Sequence, residues 1–180
     1  MRTTLLAASL FLAACAKPAA ETPPPAPSGP IAPGTVAPEI DATAHDGSHL
    51  TLASLKGKPV VLYFYPKDDT PGCTIEAQAF RDSIADFKAV GATIIGVSTQ
   101  DNTSHQAFAE KHDLPFPLVP DTDKKIATAY GVDTSKGYAA RVTFVIGPDG
   151  KIATTFPAVK VDGHDDEVLA AVKESIAKKG

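Results

Sequence analysis

Val60-Val61-Leu62-Tyr63-Phe64-Tyr65-Pro66-Lys67-Asp68-Asp69-Thr70-Pro71-Gly72-Cys73-Thr74-Ile75-Glu76 is the stretch on which the fold turns. Its first six residues are apolar, β-branched or aromatic without a break, the pattern of a strand buried on both faces. A loop rich in proline and aspartate follows, and a helix opens at or just after Cys73. Beyond it Ile75, Ala79, Phe80, Ile84, Phe87 and Val90 recur at helical spacing, with Glu76, Arg81, Asp82 and Asp86 between them. One helix over residues 74–90 is predicted, stopped by Gly91.

The same alternation continues outward. Residues 92–98, Ala-Thr-Ile-Ile-Gly-Val-Ser, read as a second buried strand. Residues 103–112 form a short amphipathic helix anchored by Phe108, and residues 124–130 form another, closed by Gly131. Residues 142–146 and 151–156 flank Gly147-Pro148-Asp149-Gly150, a turn signal that makes them a hairpin. Asp165, Asp166 and Glu167 open a last helix and Lys178 and Lys179 close it, charges matched to its dipole. Strands alternating with helices and ending in a hairpin and a helix predict an α/β sandwich with a mixed central sheet flanked by helices. Periodicity leaves the strand order open.

Toward the N-terminus the character changes. Arg2 precedes an apolar stretch from Leu5 to Ala14, too short to span a bilayer but suited to a signal-peptide core. It ends Leu12-Ala13-Ala14-Cys15, small residues leading into a cysteine, which resembles the lipobox of bacterial lipoproteins. Residues 1–14 are thus expected to be a signal peptide and Cys15 the lipid-bearing residue, with an ordinary signal peptide as the alternative. Residues 15–38 read as a tether, because proline fixes φ and removes a donor so densely here that no packed element is expected. At about 3.1 Å per residue, some 20 residues would reach roughly 60 Å from a membrane. The folded domain is expected over 39–180, with the chain in the cell envelope, facing the periplasm or exterior. Ala16 after Cys15 points, by family analogy, to outer-membrane sorting.

Among the 180 residues 43% are hydrophobic and 21% charged, ordinary for a globular protein. A net charge of -4 offers no basic field for phosphate backbones, so no nucleic-acid partner is expected. His45, His49, His105, His112 and His164 show no ligand spacing with carboxylates or Cys73, and His45 and His49 read as loop residues. The pairs Asp121/Asp123 and Asp165/Asp166 lack the regular oxygens and glycine of a calcium loop. No metal, cofactor or phosphate-binding loop is expected.

Of two cysteines, only Cys73 lies in the globular part. A helix N-terminus offers free N–H groups and a partial positive charge, and both favour thiolate, the nucleophilic form, over thiol. A structural cysteine would more often sit inside an apolar run than after Pro-Gly. The bland alternatives are a capping role for Thr70, strand termination for Pro66 and a surface charge for Arg141.

Pro66-x-x-x-Thr70-x-x-Cys73 matches the peroxiredoxin signature, and Thr70-Pro71-Gly72-Cys73-Thr74-x-Glu76-Ala77 resembles the bacterioferritin comigratory protein (PrxQ) branch. The resemblance runs over roughly 31–177 and takes in Asp68-Asp69, residues 95–98, Leu114-Pro115-Phe116-Pro117-Leu118, Arg141-x-Thr143-Phe144 and Val161-Asp162-Gly163-His164. It implies a thioredoxin-like fold and a thiol peroxidase. By that resemblance Cys73 attacks the peroxide and becomes a sulfenic acid. Thr70 hydrogen-bonds thiolate and peroxide, Pro66 walls the pocket, Arg141 stabilises thiolate and departing oxygen, and Glu76 orients Arg141. A monomer is implied as well.

Many members of that branch carry a resolving cysteine five residues after the first, where this chain has Gln78, or on a later helix, where it has none. The sulfenic acid is therefore expected to meet an external thiol, small or carried by a thioredoxin- or glutaredoxin-like protein, through a transient mixed disulfide. Homodimerisation through Cys73 would block the pocket. Two other functions fit less well. A disulfide oxidoreductase or copper-delivery protein needs a second cysteine; a non-catalytic envelope lipoprotein would not need Pro66, Thr70, Cys73, Glu76 and Arg141 together.

Overall fold

The computed structural model describes residues 27–177. The chain runs β1 (Asp41–Thr43), β2 (His49–Thr51), a 3-10 turn (Leu52–Leu55), β3 (Val60–Phe64), α1 (Pro71–Asp82), α2 (Ile84–Ala89) and β4 (Thr93–Ser98). It continues with α3 (Asn102–Lys111), β5 (Leu118–Pro120), α4 (Lys125–Ala129), β6 (Val142–Ile146), β7 (Ile152–Phe156) and α5 (His164–Ala177). Five strands form the central sheet in the order β5-β4-β3-β6-β7. β3, β4 and β5 run parallel, while β6 pairs antiparallel with both β3 and β7, so the sheet is mixed, as the alternation predicts. This is the thioredoxin-like α/β arrangement.

β3 lies at the centre and every residue of it is buried. Its alternate residues feed two cores. Val60, Leu62 and Phe64 pack with Ile95, Val97, Phe144, Tyr130 and Ile40 on one face. Val61 and Tyr63 pack with Phe80, Phe87, Phe108, Leu118, Val168 and Val172 on the other, and this second core contains Cys73. Each fully buried large side chain contributes about 1.5–3 kcal/mol, so the strand that ends at the cysteine loop is firmly anchored. Gly96 in β4 lets Tyr63 lie close: a Cβ there would stand 2.7 Å from Leu118 Cδ2 and 2.8 Å from the Tyr63 hydroxyl.

Three expectations need correction. The helix predicted over 74–90 is two helices, interrupted at Ser83, whose hydroxyl donates to the Asp165 carboxylate of α5. The apolar rhythm survives the interruption, since Phe80 and Phe87 pack ring to ring with centroids 5.9 Å apart. His49 lies in β2 and not in a loop. The tether expected to reach Pro38 ends earlier, because residues 31–38 belong to the fold. Ile31 N–H donates to Tyr130 O (3.1 Å), Gly34 N–H to Ile152 O (2.8 Å) and Ala37 N–H to Gly150 O (2.9 Å). Ile31 and Ala37 are buried. Proline density misled here because an irregular segment containing prolines still offers carbonyls: Tyr130 donates its hydroxyl to Pro38 O (2.7 Å) and Thr155 donates to Ile31 O (2.9 Å). Residues 1–26, with the leader and Cys15, and Lys178 and Lys179 lie outside the described residues.

Candidate active site

β3 delivers the chain to Tyr65 and Pro66, the loop turns back, and α1 begins at Pro71 with Thr70 as its N-cap. Proline suits the first helical position, where its missing N–H has no partner to lose. The helix thus starts three residues before the predicted Thr74, and Cys73 sits in its first turn. There the backbone N–H groups of the first turn have no intrahelical partners. Cys73 is free and only 1% exposed.

Arg141, the residue before β6, reaches the sulfur from 68 positions away in sequence, donating from its Nη2 to Cys73 Sγ at 3.2 Å. Its Nη1 donates to Glu76 Oε2, and Glu76 lies one turn beyond Cys73 on the same face of α1, 1% exposed. Gly72 makes room for this: a Cβ at that position would meet Arg141 Nη2 at 3.2 Å. Burial pushes the Glu76 carboxyl up to about 7, against the pull of Arg141. Burial also works against the Arg141 charge, but Glu76 and the Cys73 sulfur outweigh it and hold the guanidinium above its ordinary pKa. The other carboxylate oxygen of Glu76 is buried without a protein partner.

Pro66 and Arg141 line a surface depression of about 250 Å³ with Asp133, Lys136, Tyr138 and Ala140. Thr70 is placed differently from the expectation. Its hydroxyl donates to Lys67 O (2.9 Å), closing the loop three residues back, and not to the sulfur. Cys73, Arg141 and Glu76 therefore converge, Pro66 shares the depression with Arg141, and Thr70 shapes the turn that leads to them.

A buried network stands behind the loop and escaped the sequence reading. Asp68 accepts from Tyr65 Oη (2.8 Å) and Ser104 Oγ (2.7 Å), and His105 Nδ1 lies 2.9 Å from its Oδ2. Burial pushes the Asp68 carboxyl up, but the His105, Ser104 and Tyr65 donors outweigh it and hold it below the usual range. Its one sequence signal is His105 sharing a helix face with Phe108 and Ala109, all buried. The carboxylate it meets is 37 residues away.

A family model described as AhpC/TSA matches residues 33–155. A Bcp-type peroxiredoxin of Coxiella burnetii is 43% identical over 143 residues, covering 76% of this chain and 95% of that protein. Peroxiredoxin Bcp of Bacillus subtilis is 41% identical over 152 residues, covering 81% and 97%. The chain belongs to the peroxiredoxin family. Among solved structures, the bacterioferritin comigratory protein of Xanthomonas campestris superposes with a TM-score of 0.69 at 37% identity, covering 75% of this peroxiredoxin and 90% of that chain. BcpB of Mycobacterium tuberculosis does so with 0.74 at 33% identity, covering 79% and 96%. This peroxiredoxin is of the Bcp/PrxQ type, and its activity is that of a thiol-dependent peroxidase.

Proposed function

We propose that Cys73 is the peroxidatic residue and that Arg141 and Glu76 tune it. The observation that carries this is the bifurcated grip of Arg141, one nitrogen on the sulfur and the other on Glu76. The Cys73 thiolate attacks one peroxide oxygen, the O–O bond breaks, and the departing alkoxide or hydroxide takes a proton to leave as alcohol or water. Arg141 offsets the charge that builds on that oxygen, and preorganised donors in a dry site act without reorganisation cost. Glu76 positions the guanidinium, Pro66 walls the approach, and Thr70 acts through the turn it closes. Alkyl peroxide reduction is an activity of the Xanthomonas campestris protein, which supports organic hydroperoxides as substrates beside hydrogen peroxide.

The sulfenic acid is reduced by an external thiol, because the globular part holds no cysteine but Cys73. The enzyme works as a monomer in the cell envelope, held through lipid on Cys15; the leader and its Leu-Ala-Ala-Cys ending support this reading. Stopped-flow mass analysis tests the catalytic half. Reduced protein gains one oxygen on Cys73 within seconds of stoichiometric peroxide, and Arg141→Met slows the gain by about 10²-fold or more. Oxygen gain only over hours, as for a free thiol, sinks the reading. Labelling of cells with a radioactive fatty acid tests the anchor, with label expected on the wild-type chain and lost in Cys15→Ser.

A further inference from the structure

We propose that the external reductant is a small zwitterionic thiol, of the amino-acid or short-peptide kind, seated beside Cys73 in the depression that Asp133, Lys136 and Tyr138 form with Arg141. The proposal rests on Cys73 being the peroxidatic residue and names the second substrate of that same site.

The sulfur is held where it is. Cys73 is almost fully buried, and the helix carrying it is fastened to the end of α3. Asp69, in the left-handed region with φ 55°, accepts from Lys111 Nζ (2.9 Å) and from His112 Nε2 (3.0 Å). Gln78 Nε2 donates to His112 Nδ1 (3.3 Å), and Arg81 Nη1 donates to His112 O (2.8 Å). Gln78 stands five residues after Cys73, where a resolving cysteine would require the first turns of α1 to unwind; its amide instead ties those turns down. A protein dithiol needs the sulfur to swing outward, and this fastening opposes that. A small thiol asks for less movement, because Arg141, which donates to the sulfur at 3.2 Å, is itself a wall of the neighbouring depression.

The depression beside it offers groups of both signs. Arg141 links it to the sulfur, and the guanidinium charge is already engaged by Glu76 and Cys73. What remains for a ligand is one cation, Lys136, one anion, Asp133, whose Oδ1 accepts from Ser135 N–H (2.8 Å) and whose Oδ2 is left for a partner, and the apolar surfaces of Pro66, Ala140 and the Tyr138 ring, which is 43% exposed. A carboxylate facing Lys136, an ammonium facing Asp133 and a short aliphatic arm ending in sulfur match that set. A purely cationic or purely anionic thiol matches half of it. In the reaction the incoming thiolate attacks the sulfenyl sulfur, an S–S bond forms and the S–O bond breaks. The hydroxide released takes the thiol's proton to become water. A second molecule of the thiol then attacks the mixed disulfide, releasing the oxidised dimer and restoring the Cys73 thiolate.

The test starts from sulfenic acid made with stoichiometric peroxide and verified by mass, then follows its loss at equal thiolate concentration. Free cysteine and glutathione carry both charges, cysteamine only the ammonium, 3-mercaptopropionate only the carboxylate, and reduced thioredoxin serves as protein dithiol. Cysteine and glutathione are expected to react roughly tenfold faster than either half-matched thiol, the size of one charge-assisted hydrogen bond. Lys136→Met should remove that advantage over cysteamine, and Asp133→Asn the advantage over 3-mercaptopropionate, each followed from sulfenic acid verified by mass in that variant. Equal rates for all small thiols, or thioredoxin outpacing them, overturns the proposal. Failure to form sulfenic acid at all condemns the peroxidatic reading before any thiol is added.

Discussion

Glu76 carries the sharpest consequence at the scale of single residues. With its carboxyl pushed up to about 7 by burial, it holds Arg141 by charge only above that pH. The rate of Cys73 oxidation in the wild type should fall as pH drops through about 7. In Glu76→Gln it should be lower at pH 8, by on the order of tenfold or more, and should lack that step. Stability runs the other way. A folded pKa above the ordinary 4.5 means that Glu76 favours folding most fully below 4.5, and the contribution is lost as pH rises through about 7. Denaturation midpoints of wild type and Glu76→Gln, measured from pH 4 to 8, should therefore diverge over that window, the wild type losing ground as pH rises. Gly72 offers a second check: Gly72→Ala obliges Arg141 to move by a few tenths of an ångström. Its peroxide rate should fall by about tenfold with the fold intact by circular dichroism, since small misplacements near the reacting atom are expensive.

Among the elements, β3, β4, the final hairpin and α5 were legible because their signals are local: continuous apolar runs, a Gly-Pro-Asp-Gly turn, acids at a helix start. The split between α1 and α2 was not, because its partner Asp165 lies 82 residues from Ser83. β1 and β2, three residues each, are too short for alternation to register. The pairing of Arg141 with Cys73 came from family resemblance, since no spacing rule joins residues 68 apart. Asp68 and His105 stayed hidden for the same reason, and the Thr70 hydroxyl went to a loop carbonyl that only the turn geometry exposes. Helix-to-sheet packing sets the stability of this layer. Phe80, fully buried against Tyr63, Phe87 and His164, should cost about 3–5 kcal/mol when replaced by alanine, read as a lower urea midpoint.

For the whole molecule, the absence of a second cysteine in the described domain leaves sulfenic acid exposed to further attack whenever thiol runs short. Repeated peroxide pulses without thiol should convert Cys73 to sulfinic acid, seen by mass as a second added oxygen that thiols do not reverse. Residues 31–38 belong to the stability of the whole as well. A chain beginning at Glu39 loses the burial of Ile31 and Ala37 and the backbone bonds to Tyr130, Gly150 and Ile152. It should melt about 10 °C lower, corresponding to a loss of about 3 kcal/mol.

That docked segment also decides where mechanical load would enter. Ile31 and Ala37 belong to the core on the face of the sheet opposite Cys73, and their bonds run to α4 and β7. Tension arriving along the N-terminal chain is thus taken up by peeling a short strap from the far side, and the strand and helix that frame the sulfur are the last to feel it.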